Sequence, residues 1–267
     1  MISQNLEELI SELPQGVKLV AVSKFHPLDA LLEAYSMGQR AFGENRPQEF
    51  AAKAVQMPQD VVWHFIGHLQ TNKLKLVLPY ASLVESIDTV HLLEAVNEWG
   101  ARHEKVVNVL LEVHIGAEET KQGFTPEEVL DILSSVNAWS ARSGLAPGTG
   151  KKFGERPDRE PIQTGTGEEF GERPDREPIQ TGTVAGSYPY VNFCGLMGMA
   201  SHVDDEEAIA ADFARIKALF DECRARFPGL QDFTQLSIGM SDDWRIAVQH
   251  GSTEVRIGTA IFGPRQY

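Results

Sequence analysis

Cysteine is scarce in this chain. Cys194 and Cys223 are the only two among 267 residues, so no disulfide framework is available. One bridge is the most they could form, and two buried thiols in a reducing compartment is the better reading. Positive charge is also short. Lys and Arg number 24 against 38 Asp and Glu, a formal net charge of −14. With no dense basic stripe, nucleic acid is not an expected partner. No apolar run approaches the ~20 residues that span a bilayer, so no membrane association is expected either. The first residues lack a positive segment followed by an apolar core, and no secretory leader is read there. The expectation is a soluble cytoplasmic protein. Missing as well are a Gly-x-Ser-x-Gly elbow, a Gly-Lys-Ser/Thr phosphate loop and a Gly-rich fingerprint after the first strand.

What is there is a strict alternation of short apolar strands and amphipathic helices. An N-terminal helix carries Leu6, Leu9, Ile10 and Leu13 on one stripe, with Ser3 as N-cap. Val17 to Val22 is a buried strand ending on Ser23-Lys24. Further strands are predicted at 40–43, 61–66, 83–87, 106–114, 191–199, 233–238 and 254–257. Helices follow the first seven. Asp88 is the expected N-cap of one, Thr125-Pro126-Glu127-Glu128 a capping box opening another, and Ser241 the N-cap of a short one. From 204 to 227, Ile209, Phe213, Ile216, Phe220, Cys223 and Phe227 recur at three and four. Eight βα repeats favour an α/β fold closed as a (β/α)8 TIM-type barrel with an extra N-terminal helix; an open doubly wound sheet is the alternative.

One segment differs from the rest. The fourteen residues from Phe153 to Thr166 recur unchanged from Phe170 to Thr183, seventeen positions later. The unit is rich in Pro, Gly and charge and almost devoid of apolar residues, so it cannot offset its own ordering entropy. The chain is expected to be one domain over residues 1–267, interrupted by a flexible insertion at about 143–187. The identity of the copies suggests an in-frame duplication.

Barrel chemistry belongs at the carboxyl ends of the strands. Lys24 ends the first strand. Burial disfavours an ammonium there and frees a neutral amine for Schiff-base formation with an aldehyde. A solvated lysine capping the strand is the plainer alternative. The ends of the seventh and eighth strands carry Gly239, Ser241, Gly258 and Thr259, small and hydroxyl residues suited to a phosphate. An amine and a phosphate site across one mouth fit pyridoxal 5'-phosphate (PLP). Arg256 shares the face of Gly258; if that face is inward, a permanent cation meets the pyridine nitrogen and keeps it unprotonated. His64 and His68 are four apart but run from strand into loop, so no metal site is expected from that pair.

The motifs Ala21-Val22-Ser23-Lys24, Phe42-Gly43-Glu44-Asn45, Trp63-His64-Phe65-Ile66-Gly67-His68-Leu69-Gln70-Thr71-Asn72-Lys73, Gly195-Leu196-Met197-Gly198-Met199-Ala200, Leu236-Ser237-Ile238-Gly239-Met240-Ser241 and Val255-Arg256-Ile257-Gly258-Thr259-Ala260-Ile261-Phe262-Gly263 run in order along the chain. Together they resemble the pyridoxal-phosphate homeostasis proteins, single-domain relatives of the alanine racemase barrel. The resemblance implies a PLP-binding protein of intracellular PLP homeostasis, with storage, delivery and limitation of free aldehyde as its work and no established turnover. It implies Lys24 as the Schiff-base lysine and Asn45 near the cofactor. Ser241, Gly258 and Thr259 would hold the phosphate, Met240 would lend a backbone N–H, and Arg256 would meet the pyridine nitrogen. Lys121 matches a second lysine beside the site. Arg46-Pro47 replaces the family's Tyr-Val, and the repeat is not a family feature. PLP-requiring apo-enzymes are expected partners of a monomer. The alternative is a PLP-dependent racemase-like enzyme. Racemisation needs acid/base groups on both faces of the carbanion, and no second domain to bring them is read in this chain.

Overall fold

The computed structural model describes residues 2–115, 122–143, 188–201 and 203–264. The repeat, most of the expected insertion and Lys121 lie outside the described residues. Eight parallel strands close into a barrel in chain order: β1 (Lys18–Val22), β2 (Ala41–Glu44), β3 (Val62–Phe65), β4 (Leu83–Ile87), β5 (Val107–Val113), β6 (Val191–Gly198), β7 (Gln235–Ser237) and β8 (Glu254–Ile257). β8 returns to β1, with Lys18 opposite Glu254 and Ala21 opposite Ile257. The (β/α)8 architecture is therefore the one expected, and the open sheet is not.

Around the wall lie α2 (Leu28–Ser36), α3 (Pro47–Ala54), α4 (Leu74–Val77), α5 (Val90–Arg102), α6 (Pro126–Ser143), α7 (Glu206–Arg226) and α8 (Trp244–Gln249). The chain is flanked by α1 (Ile2–Glu12) and α9 (Thr259–Phe262), so β8 too has a short helix after it. The α6 capping box forms as the spacing predicts. Thr125 N–H donates to Glu128 Oε2 at 2.8 Å, and Glu128 N–H to Thr125 Oγ1 at 3.2 Å.

Strand alternation divides the apolar residues. Val255, Ile257, Val109 and Phe193 face outward into the large core beneath the helices, where Phe213, Ile216, Phe220 and Cys223 of α7 meet them. A small cluster of Leu83, Leu110, Cys194 and Met197 lies inside the barrel, beside the buried polar residues His64, Glu85, Glu254 and Arg256. Both cysteines are free and buried, and burial pushes each thiol up to about 12. Gly195 lets β6 meet β7: its φ is +152°, and a Cβ would stand 1.7 Å from the Gln235 carbonyl oxygen.

Three local expectations are corrected. Ser3 lies inside α1, where its hydroxyl donates to Glu33 at 3.0 Å, and Ile10 faces solvent. Thr89, not Asp88, caps α5, accepting from Leu92 N–H at 3.2 Å. α8 begins at Trp244, so Ser241 precedes it by a turn and is not its cap. In each case the polar residue is drawn to another partner: Ser3 to Glu33, Asp88 to His68 and Ser241 to Gly258.

Candidate site at the carboxyl mouth of the barrel

Lys24 sits in the turn leaving β1, half-buried. The next residue, Phe25, takes φ +66°, a left-handed conformation unusual for a side-chain-bearing residue. A buried ion network holds this turn. Lys53 of α3, 7% exposed, donates through Nζ to the Ser23 carbonyl at 2.8 Å. The same Nζ meets Glu44 and Glu49 carboxylates at 2.7 Å each. Glu49 also accepts Phe25 N–H at 2.8 Å, and Ser23 Oγ donates to Glu44 at 2.6 Å. Backbone on both sides of Lys24 is thus tied to one ammonium. Burial raises the Glu44 carboxyl against the opposing pull of Lys53.

Asn45 follows Glu44 directly. Its Oδ1 is buried and accepts no hydrogen bond among the described residues. Gly67 packs flat against it, since a Cβ there would lie 2.3 Å from the Asn45 carbonyl oxygen. The departure at Arg46-Pro47 has a visible consequence. Pro47 is the first residue of α3, and the Arg46 guanidinium lies over the Phe25 ring at 4.4 Å.

Arg256 is inward and buried. Nη1 donates to the Ser237 carbonyl and hydroxyl, both at 2.7 Å, and Nη2 to the Gly198 carbonyl at 3.0 Å. Past it, Gly258 N–H donates to Ser241 Oγ at 3.3 Å, joining the ends of β7 and β8. Gly258 abuts β1 as well: a Cβ would be 2.9 Å from the Val22 carbonyl oxygen, two residues before Lys24. Thr259 opens α9 and is exposed. Met240 N–H is given to Asp243 Oδ1 at 2.5 Å, so the backbone donor expected there is already engaged. All seven sequence-predicted residues lie at or beside the carboxyl ends of β7, β8, β1 and β2, four consecutive staves of the wall.

His64 and His68 part company. His68 pairs with Asp88 at 2.9 Å near the carboxyl mouth, while His64 lies inside the barrel at 2.7 Å from Glu85 and 3.5 Å from Glu254. Burial works against a charged His64, but the two carboxylates outweigh it and push its pKa up to about 10. Burial, then Asp88, raises Glu112 to about 7. Sequence reasoning named neither Lys53 nor the interior carboxylates as functional. The signal for Lys53 was local: it stands four residues after Glu49 in α3. Nothing local marks Glu85 and Glu254 as neighbours.

The family described as "Alanine racemase, N-terminal domain" matches residues 1–145. A "Pyridoxal phosphate homeostasis protein" of Pasteurella multocida is 31% identical over 272 residues, covering 100% of this chain and 95% of that one. Among solved structures, PipY of Synechococcus elongatus PCC7942 without PLP superposes with TM-score 0.76 at 29% identity, covering 98% of this chain and 100% of that chain. PipY with PLP bound gives 0.72 at 28%, with the same coverage. The chain belongs to the pyridoxal phosphate homeostasis proteins, within the alanine racemase N-terminal-domain family.

Proposed function

We propose that this chain binds PLP at the carboxyl mouth of its barrel and serves intracellular PLP homeostasis, holding the cofactor, releasing it and limiting the free aldehyde. The observation that carries this reading is the seating of Gly258 on the Val22 backbone. It brings the strand that leads to Lys24 against the turn that leads to Thr259. PLP supplies an aldehyde that a neutral amine can capture and a phosphate that backbone N–H and hydroxyl groups can hold.

Lys24 is the covalent anchor, and its turn is kept in place by the Lys53 network. Asn45 has a buried amide oxygen to spend on a ligand. Ser241, Gly258 and Thr259 receive the phosphate, and Met240 N–H joins them only by leaving Asp243. Arg256, already held by three acceptors, has N–H groups uncommitted among the described residues and presents one to the ring nitrogen. An arginine does not give up its proton, so the ring nitrogen stays unprotonated and the ring is a weak electron sink. The homeostasis name of the Pasteurella multocida relative and the PLP-bound PipY structure support the same reading.

The working form is one domain over residues 1–267 with an insertion at about 143–187, a cytoplasmic monomer that passes PLP to apo-enzymes. Among the described residues no helix is long and apolar enough to cross a membrane. The test is borohydride reduction of the PLP-soaked protein followed by peptide mapping. One pyridoxyl adduct at Lys24, absent from Lys24→Ala, is expected. An adduct elsewhere, or none, overturns the assignment. Turnover of L-amino acids above a PLP-only control would favour the enzyme instead.

A further inference from the structure

We propose that His64, Glu85 and Glu254 bind one divalent cation of the zinc class inside the barrel, near its amino-terminal mouth. One ligand atom from each lies within 4.8 Å of the others, and all three residues are buried. They come from β3, β4 and β8, elements that only closure of the barrel brings together.

The argument turns on Glu254. It is 1% exposed, and neither carboxylate oxygen accepts a hydrogen bond among the described residues. A buried carboxylate without donors is costly and calls for an ion or a donor. Its nearest recorded partner, His64 Nδ1, stands 3.5 Å away, while that same nitrogen is 2.7 Å from Glu85 Oε1. Without a metal the His64 imidazolium is shared between the two carboxylates, close to Glu85 and farther from Glu254, and a metal ion would take the place of its proton. A metal ion among the three satisfies all of them, with neutral imidazole and two carboxylates, a donor set suited to zinc.

Support for the ligands is present too. Ser237 Oγ donates to Glu85 Oε2 at 2.6 Å, and Arg256 Nη1 lies 3.7 Å from the same oxygen, which leaves Oε1 turned toward His64. Such outer partners fix the direction of a metal-binding carboxylate. An entry path exists at the amino ends of the strands, opposite the mouth that carries Lys24. A cavity of about 360 Å³ there is lined by Lys18, Arg40, Val62, His64 and Glu254, among others. It leaves room for water as a fourth ligand. Lys18 and Arg40 of the cavity lining, and Arg256 beside Glu85, are nearby cations that oppose the metal charge.

The experiment uses full-length, chelator-stripped protein titrated with Zn2+ against a chromophoric competitor, with Co2+ absorption as a second readout. Wild type is expected to take up one equivalent, and Co2+ to give the intense visible bands of a low-coordinate site. Glu254→Gln, folded by circular dichroism, should weaken Zn2+ by ~10-fold or more and lose those bands. If that variant does not fold, His64→Gln serves in its place. Absence of Zn2+ uptake by wild type, uptake equal in the folded variant, or a Co2+ spectrum of the aquo type overturns the proposal. In the last two cases the ions sit on surface carboxylates.

Discussion

Glu254 and Arg256 stand two residues apart on β8, on the same inward face, and meet opposite fates. The Arg256 guanidinium makes three hydrogen bonds, to Ser237 and Gly198, whereas the Glu254 carboxylate accepts none among the described residues. One strand thereby supplies a cation held by three acceptors toward the carboxyl mouth and, toward the amino mouth, a carboxylate whose nearest partner is His64 at 3.5 Å.

Lys53 is expected to matter for stability more than its place on a helix suggests. Lys53→Met strands the fully buried Glu44 without its ammonium, and breaking one side of such a pair costs ~3–5 kcal/mol. Urea denaturation should show that loss. Lys53→Met combined with Glu44→Gln should recover part of it, since the two groups share one network. Additive losses would mean that they do not act together.

The phosphate assignment is checked at Thr259. Its side chain is exposed, so Thr259→Val should shift stability by no more than ~0.5 kcal/mol. A lost hydrogen bond to a charged phosphate is worth ~1.5–3 kcal/mol, a ~10- to 100-fold rise in the PLP Kd by equilibrium dialysis. An unchanged Kd moves the phosphate elsewhere.

Gly67→Ala tests the seating of Asn45. The new Cβ would sit 2.3 Å from the Asn45 carbonyl oxygen and 2.7 Å from its Cα, so backbone must move. Overpacking of this kind costs ~1–3 kcal/mol, and PLP affinity should fall with it. If the melting temperature falls and PLP affinity does not, Asn45 is remote from the cofactor.

Glu112 sets a pH dependence. Its folded carboxyl is raised to about 7, chiefly by burial, from the ordinary 4.5. Between those values the folded state binds more protons than the unfolded, so this group's contribution makes stability fall as pH rises from about 4.5 to about 7. A shift of this size bounds the effect at ~3 kcal/mol. Glu112→Gln should flatten that slope in unfolding free energies measured at intervals across the window. An unchanged slope would place the effect on other groups.

Much of the barrel was legible because strand and helix periodicities are local. Leu83–Ile87 and Glu254–Ile257 match their predicted bounds, and the Thr125–Glu128 capping box forms as spaced. The helix starts near Asp88 and Ser241 were misplaced because each of those polar residues had a competing distant partner. Asp88 meets His68, and Ser241 meets Gly258. A capping signal says only what a side chain can accept. Packing chooses the donor.

By itself the sequence determined the number of the strands and their order along the chain, the face that Arg256 shares with Gly258, and the residue types that collect at the carboxyl ends, because alternation and turn chemistry act over a few residues; that the shared face is inward was left to the structure. Only the closed barrel decided that Gly258 rests on Val22, that Lys53 fastens the Lys24 turn, and that Glu254 faces His64 and Glu85. Those pairs are separated by tens to hundreds of residues along the chain. Their meeting depends on β8 pairing with β1 and on α3 folding back over the strand ends, which no local pattern encodes.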